Sequence, residues 1–217
     1  MTSGSDFGKI QERLEEINEI IAAKAQNQVN LIAVTKGFTH AEVNVATELG
    51  VKNFGENYAQ ELLAKNPLVD AEISWHYIGQ LQSNKIRKVS HLVDVWHSVT
   101  SLKHAREIHK RNDQAQILLQ VSLMGPSNAK GFGTGELPYA LTELWDEGIY
   151  ISGLMTMGVP GDMAATRVVF ERLRKLADTF ELPECSMGMS DDFEIALESG
   201  ASMIRVGSAI FGNRGPD

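Results

Sequence analysis

The sequence predicts an α/β protein, a single (β/α)8 TIM-type barrel with an additional N-terminal helix. Three observations predict it. Eight short β-like runs alternate with helical stretches, the chain is 217 residues long, and one amphipathic helix precedes the first run. Barrels of this kind commonly fold as one unit at that length. Strict alternation implies parallel strands joined by right-handed crossovers, with a doubly wound open sheet as the competing architecture.

The leading helix is marked by Ile10, Leu14, Ile17 and Ile21 at helical spacing, with Glu12, Glu15, Glu16 and Glu19 facing outward. Strands are expected over 31–36, 53–55, 74–78, 93–97, 117–123, 149–154, 183–187 and 203–206. Helices are expected to begin near His40, Asn57, Ser83, Ser101, Glu136, Asp162 and Ser190. The helix after Asp162 has the clearest stripe, formed by Val169, Leu173, Leu176 and Phe180. Gly50, Gly148 and Gly200 each follow a helical run, as C-terminal caps do. No linker, low-complexity tract or duplication divides the chain, so residues 1–217 read as one domain.

Composition narrows the function classes. Hydrophobic residues make up 43%, enough for a substantial core. A net charge of −8 argues against a general nucleic-acid binder. The one basic cluster, Lys85, Arg87 and Lys88, suggests a local anion site or a solvated helix face. No apolar run approaches the roughly 20 residues that span a bilayer, and the small, polar start at Met1 is unlike a secretory signal. A single cysteine, Cys185, excludes an intrachain disulfide and fits a reducing cytoplasm. The six histidines show no paired metal-ligand spacing, so no metal site is expected.

In barrels of this type, ligands meet the C-terminal ends of the strands and the loops that follow. Lys36 closes the first apolar run, on the face shared by Ile32 and Val34. Schiff-base chemistry needs a neutral, nucleophilic amine, and a strand end that is hard to hydrate favours one; the alternative is a lysine that snorkels into water. Ser190 opens a helix as an N-cap, where backbone amides can bind phosphate or merely be capped. Gly207 and Ser208 follow the last strand, so two loops meet where barrel enzymes recurrently cradle phosphate. Arg205 lies in an otherwise apolar strand and must find acceptors, either in an internal salt bridge with Glu56 or in a ligand.

These positions, together with the stretches 33–36, 54–57, 75–85, 153–158, 186–190 and 205–212, resemble the YggS/PROSC family of pyridoxal-phosphate homeostasis proteins. That family looks like the N-terminal barrel of alanine racemase standing alone. The resemblance implies that Lys36 forms a Schiff base with pyridoxal 5′-phosphate (PLP), that Ser190, Gly207 and Ser208 hold the phosphate, and that Arg205 faces the pyridine nitrogen. It also implies that Asn57 and His76 line the ring's surroundings, with Met155 and Met157 as apolar neighbours. The chain departs from the family at Gly37, where a larger residue is expected, and at a short Lys130-Gly131-Phe132 stretch.

An arginine at the ring nitrogen cannot accept its proton and disfavours a pyridinium, which weakens carbanion chemistry. Racemisation also needs a second base; Tyr58, Tyr77, Tyr139 and Tyr150 are present, but none sits in a motif resembling that base. The expectation is a non-catalytic, cytoplasmic carrier and regulator of PLP, with apo forms of PLP enzymes as recipients and no nucleic-acid or membrane partner. A monomer is expected, with a dimer as the alternative. A weak amino-acid racemase is the competing reading; a Schiff-base aldolase would account for Lys36 and the phosphate loops but not for Arg205.

Overall fold

The computed structural model describes residues 4–69, 71–123 and 131–212. Helix α1 (Gly4–Lys24) leads into strand β1 (Asn30–Val34), α2 (His40–Glu48), β2 (Asn53–Glu56), α3 (Ala59–Lys65), β3 (Ser74–Tyr77), α4 (Ser83–Val89) and β4 (Val95–Val99). There follow α5 (Leu102–Arg111), β5 (Gln116–Ser122), the two-residue β6 (Phe132–Gly133), α6 (Leu137–Asp146), β7 (Gly153–Met155) and α7 (Met163–Thr179). The described chain closes with β8 (Glu184–Ser186), α8 (Phe193–Glu198), β9 (Met203–Val206) and the one-turn α9 (Ser208–Phe211).

Eight of these strands form a closed barrel, and every pairing is parallel. Closure is made by β1 against β9, with Ile32 opposite Arg205 and Ala33 opposite Val206. The short β6 pairs only with β5, outside the ring.

Alternation along each strand produces two apolar layers. Ile32, Val95, Leu118, Met155 and Met203 form a small buried cluster inside the barrel. Their sequence neighbours Ala33, Trp96, Leu119, Leu154 and Ile204 face outward into the larger core beneath the helices. Helix α2 opens with a capping box, in which Thr39 accepts from Ala41 N while Glu42 reaches back to Thr39 N. Asp162 caps α7 by accepting from Ala165 N at 2.9 Å.

Helix α1 buries Ile10, Leu14 and Ile17 against the ring and leaves its glutamates in solvent. Lys24 pairs with Glu194 and Glu198, tying α1 to α8. In α7, Val169 and Leu173 are buried as expected, but Phe170 and Ala177 complete the inner face while Leu176 and Phe180 are only partly covered.

Some boundaries differ from expectation for local reasons. The fourth strand begins at Val95 because Val93 N–H bonds back to Val89 O and closes the preceding helix. The barrel strand expected from 149 begins at Gly153, since Ile149 N–H closes α6 on Leu144 O. Gly50, Gly148 and Gly200 do sit just past helix ends with positive φ. Lys85, Arg87 and Lys88 lie on α4, whose Arg87 pairs with Glu107 at 3.0 Å, so the cluster is a helix face carrying an ion pair. Cys185 is fully buried, and burial pushes its thiol up to about 12, which leaves it unreactive.

Candidate functional site

A cavity of about 580 Å³ opens at the C-terminal mouth of the barrel. Lys36, Asn57, Met155, Met157, Ser190, Arg205, Gly207 and Ser208 all line it, brought together from five separate stretches of chain. Of the expected site residues, only His76 is absent from the lining. Phe38, Ile78, Met189 and Asp191 also face the cavity. Each lies within two residues of an expected site position, so loop proximity was the signal that could have found them.

Lys36 extends the inward-facing series of Ile32 and Val34 past the end of β1. The strand ladder continues one residue further, through Thr35 N–H to Gly55 O at 3.0 Å. Gly37 then turns the chain with φ 75°, a left-handed conformation that a larger residue would resist. Its N–H donates to Glu61 Oε2 at 2.7 Å. The departure at Gly37 therefore marks a specific turn geometry. Among the described residues, Lys36 has no ion pair.

Beneath this turn lies a buried polar cluster. Lys65 Nζ donates to Thr35 O at 2.6 Å, to Glu56 Oε1 at 2.5 Å and to Glu61 Oε2 at 2.9 Å. Thr35 Oγ1 also donates to Glu56 Oε1, at 2.6 Å. Burial pushes the Glu56 carboxyl up, and the bonds from Lys65 and Thr35 pull it down. Of the two acceptors the sequence left open for Arg205, Glu56 is ruled out, because its carboxylate belongs to Lys65.

Arg205 instead donates from Nη1 to Ser186 Oγ at 2.6 Å and from Nη2 to Thr156 O at 3.1 Å. Burial lowers its pKa to about 10, opposed by the charge of Asp192, so the guanidinium stays protonated at neutral pH. Its two bonded acceptors are uncharged. A buried cation held this way can take an acceptor from the cavity.

His76 is placed below the cavity floor. Its Nδ1 lies 2.8 Å from His97 Nε2, and its Nε2 lies 3.2 Å from Asn53 Oδ1. His97 Nδ1 in turn lies 2.7 Å from Ser186 Oγ. Burial lowers His76 to about 4 and holds His97 well below the usual imidazole range, where His76 and Arg205 add repulsion. Both rings are therefore neutral at physiological pH.

Ser190 also differs from expectation. The helix behind it begins at Phe193, with Asp192 as N-cap residue, and Asp192 Oδ1 accepts from Met189 N at 2.6 Å. Ser190 Oγ crosses to the neighbouring loop and accepts from Gly207 N and Ala209 N, both at 3.3 Å. It thus joins the two loops that flank one side of the cavity. Beside them, Phe38 packs against Phe211 of α9 with ring centroids 5.1 Å apart. Arg13 of α1 donates to Ile210 O at 3.2 Å and closes α9 from behind. Lys130 lies outside the described residues; Phe132 pairs with Val121 in β6.

A second cavity, of about 630 Å³, lies where the strands begin, around Asn30, Glu184 and Ser202. Its polar groups are engaged with one another: Ser202 Oγ donates to Glu184, and Arg174 bonds Leu182 O and Asp178. The chemistry-bearing residues are at the other end.

Residues 6–215 match the family model of the alanine racemase N-terminal domain. A pyridoxal phosphate homeostasis protein of Pseudomonas aeruginosa is 35% identical over 223 residues, covering 98% of this chain and 96% of that one. One of Caenorhabditis elegans is 33% identical, covering 90% of each. Among solved structures, PipY of Synechococcus elongatus, determined with PLP bound, is 33% identical with a TM-score of 0.84. The match covers 94% of this chain and all of that one. Alanine racemase of Corynebacterium glutamicum shares the fold, at 15% identity and a TM-score of 0.74, over 96% of this chain and 61% of the enzyme. The chain therefore belongs to the alanine racemase N-terminal domain family and, within it, to the pyridoxal phosphate homeostasis proteins.

Proposed function

We propose that this protein binds PLP as a Schiff base on Lys36 and works, as a single domain over 1–217, as a non-catalytic carrier and regulator in intracellular PLP homeostasis. The observation that carries the reading is the convergence of Lys36, Arg205 and the Ser190/Gly207/Ser208 loops on one cavity. A volume of about 580 Å³ suits a small cofactor. When bound, PLP supplies an aldehyde that condenses with a primary amine and releases water. Lys36 provides that amine from a stiff strand end. Ser190, Gly207 and Ser208 would receive the phosphate, Met155 and Met157 would cover the ring with apolar surface, and Asn57, whose buried Oδ1 has no partner among the described residues, would orient its edge. Arg205 donates toward the ring nitrogen.

Two features favour holding the cofactor over using it. Arg205 offers no proton-accepting carboxylate to the ring nitrogen, so the electron sink stays weak. None of the four tyrosines lines the cavity: Tyr58, Tyr139 and Tyr150 are exposed elsewhere, and Tyr77 packs its ring against Trp96 in the outer layer. The same reading places the protein in the cytoplasm as a monomer that passes PLP to apo forms of PLP enzymes. Its single cysteine is buried, and no helix among the described residues is long and apolar enough to cross a membrane.

The test is chemical. Incubation with PLP should produce a near-visible absorption band, and borohydride should fix the cofactor to the peptide containing Lys36. A Lys36→Ala variant that retains both would defeat the assignment. Carrier and enzyme separate on exchange of the amino-acid α-hydrogen in deuterated water, followed by chiral analysis. Rapid exchange with inversion, lost in Lys36→Ala, would establish a racemase; absent exchange with transfer of PLP to an apo-enzyme supports the carrier.

A further inference from the structure

Five side chains from five strands form one continuous hydrogen-bonded line through the barrel interior. Arg205 on β9 bonds Ser186 on β8; Ser186 meets His97 on β4; His97 meets His76 on β3; His76 meets Asn53 on β2. In ring order β5 and β7 separate β4 from β8, so the link from Ser186 to His97 is made across the lumen and not between paired strands. Ser186 and His97 are fully buried, and His76 and Arg205 nearly so. Such a line costs desolvation at every link and is tolerable only if each donor meets an acceptor.

That requirement fixes the direction of every proton. Asn53 presents Oδ1, an acceptor, so His76 Nε2 carries its hydrogen and Nδ1 of the neutral ring accepts. His97 Nε2 must then donate to His76, leaving His97 Nδ1 as an acceptor. Ser186 donates its hydroxyl hydrogen to His97 and turns its lone pairs to Arg205 Nη1. The reverse direction would give Ser186 two incoming bonds and leave its own hydrogen seeking a third partner in a fully buried place. All links therefore point away from the cavity, and Arg205 is held as a donor with its guanidinium plane fixed.

Resting on the assignment of PLP to this cavity, we propose that Ser186, His97, His76 and Asn53 are positioning residues that orient Arg205 toward the cofactor's ring nitrogen. None of the four lines the cavity, so each acts through Arg205. The line ends at half-buried Asn53, which cannot pass a proton onward, so its role is orientation and not transfer.

The experiment compares PLP with 1-deazapyridoxal 5′-phosphate, in which a C–H group replaces the ring nitrogen. Wild-type protein should prefer PLP by about tenfold or more, as for a hydrogen bond from a charged donor. Ser186→Ala and His97→Leu should erase most of that preference while binding the deaza analogue as wild type does. His97→Gln, which keeps one acceptor and one donor, should restore it. A merely structural role would weaken both ligands alike. Folded Ser186→Ala and His97→Leu variants that keep the wild-type preference would overturn the proposal. If they do not fold, Asn53→Ala at the outer end decides: a reduced preference supports the relay, and an unchanged one overturns it. Wild-type protein that binds both ligands equally removes Arg205 from the ring nitrogen and the relay proposal with it. Failure to bind either ligand instead removes the cofactor reading itself.

Discussion

Lys65 Nζ lies 2.6 Å from the main-chain oxygen of Thr35, the residue immediately before Lys36. The contact pins the end of β1 to α3 at the point from which the Lys36 amine projects into the cavity. Lys65 also joins Glu56 and Glu61, and Glu61 in turn holds Gly37 N. Both neighbours of Lys36 are thereby fixed by a lysine that never reaches the cavity.

Removing Lys65 should be costly. Lys65→Met leaves Glu56 buried without its cation, a class of change that destabilises by about 3–5 kcal/mol. Urea denaturation should report the loss. Adding Glu56→Gln should recover part of it, because the stranded charge is then gone. A single variant as stable as wild type would show that the cluster contributes nothing net.

Acid should loosen the barrel through its interior. His76 is lowered from 6.5 to about 4 in the folded protein. Its contribution is present above the unfolded value and is lost as pH falls through the folded one. A drop of that size corresponds to roughly 3 kcal/mol between pH 7 and pH 4. His97 acts in the same direction. Glu56 and Asp192, both raised by burial, act oppositely: their contribution is complete at low pH and is lost as pH rises. Chemical denaturation at both pH values should show a smaller acid loss in His76→Gln than in wild type. Equal losses would acquit the histidine.

The loops carrying Ser190 and Ser208 give a ligand-specific prediction. Replacing Ser190 and Ser208 together with alanine should weaken PLP binding by about 3–6 kcal/mol, from two hydrogen bonds to a charged oxygen of about 1.5–3 kcal/mol each. Pyridoxal, which lacks the phosphate, should bind the variant and wild type alike. Ser190 alone carries a further effect, since losing its hydroxyl releases Gly207 N and Ala209 N. Titration calorimetry with both ligands reads this; a parallel loss for pyridoxal would move the phosphate elsewhere.

Gly37→Val should be worse than its exposure suggests. At φ 75° a β-branched residue is strained by about 1–2 kcal/mol or more. The strain falls on the residue after Lys36, so slower capture of PLP should accompany a lowered melting temperature. Stopped-flow absorbance would register the rate, and an unchanged rate would detach the turn from the chemistry.

Much of this was legible in the sequence, because barrel strands carry their period openly. The 31–36 run, with its alternate faces, put Lys36 at the mouth, and the Gly207-Ser208 turn put a second loop beside it. The interior polar line was not legible. His76 was visible as a histidine near the mouth, but whether it faced a ligand or another ring depended on Ser186 and His97, which share no local pattern with it. The Lys65 cluster escaped for the same reason: a lysine at the end of a helix reads as a solvated charge until a carboxylate from another strand is placed beside it. Ser190 showed the converse error. It was expected to cap the helix that follows it, but Asp192 takes that place, and the backbone amides Ser190 serves belong to the next loop.

The seam between β1 and β9 joins the earliest and latest strands of the ring. A molecule gripped by Lys36 on one side and by Ser208 on the other would span that seam like a clasp. Occupancy would then guard the chain against unzipping from its ends and lengthen its survival under protease.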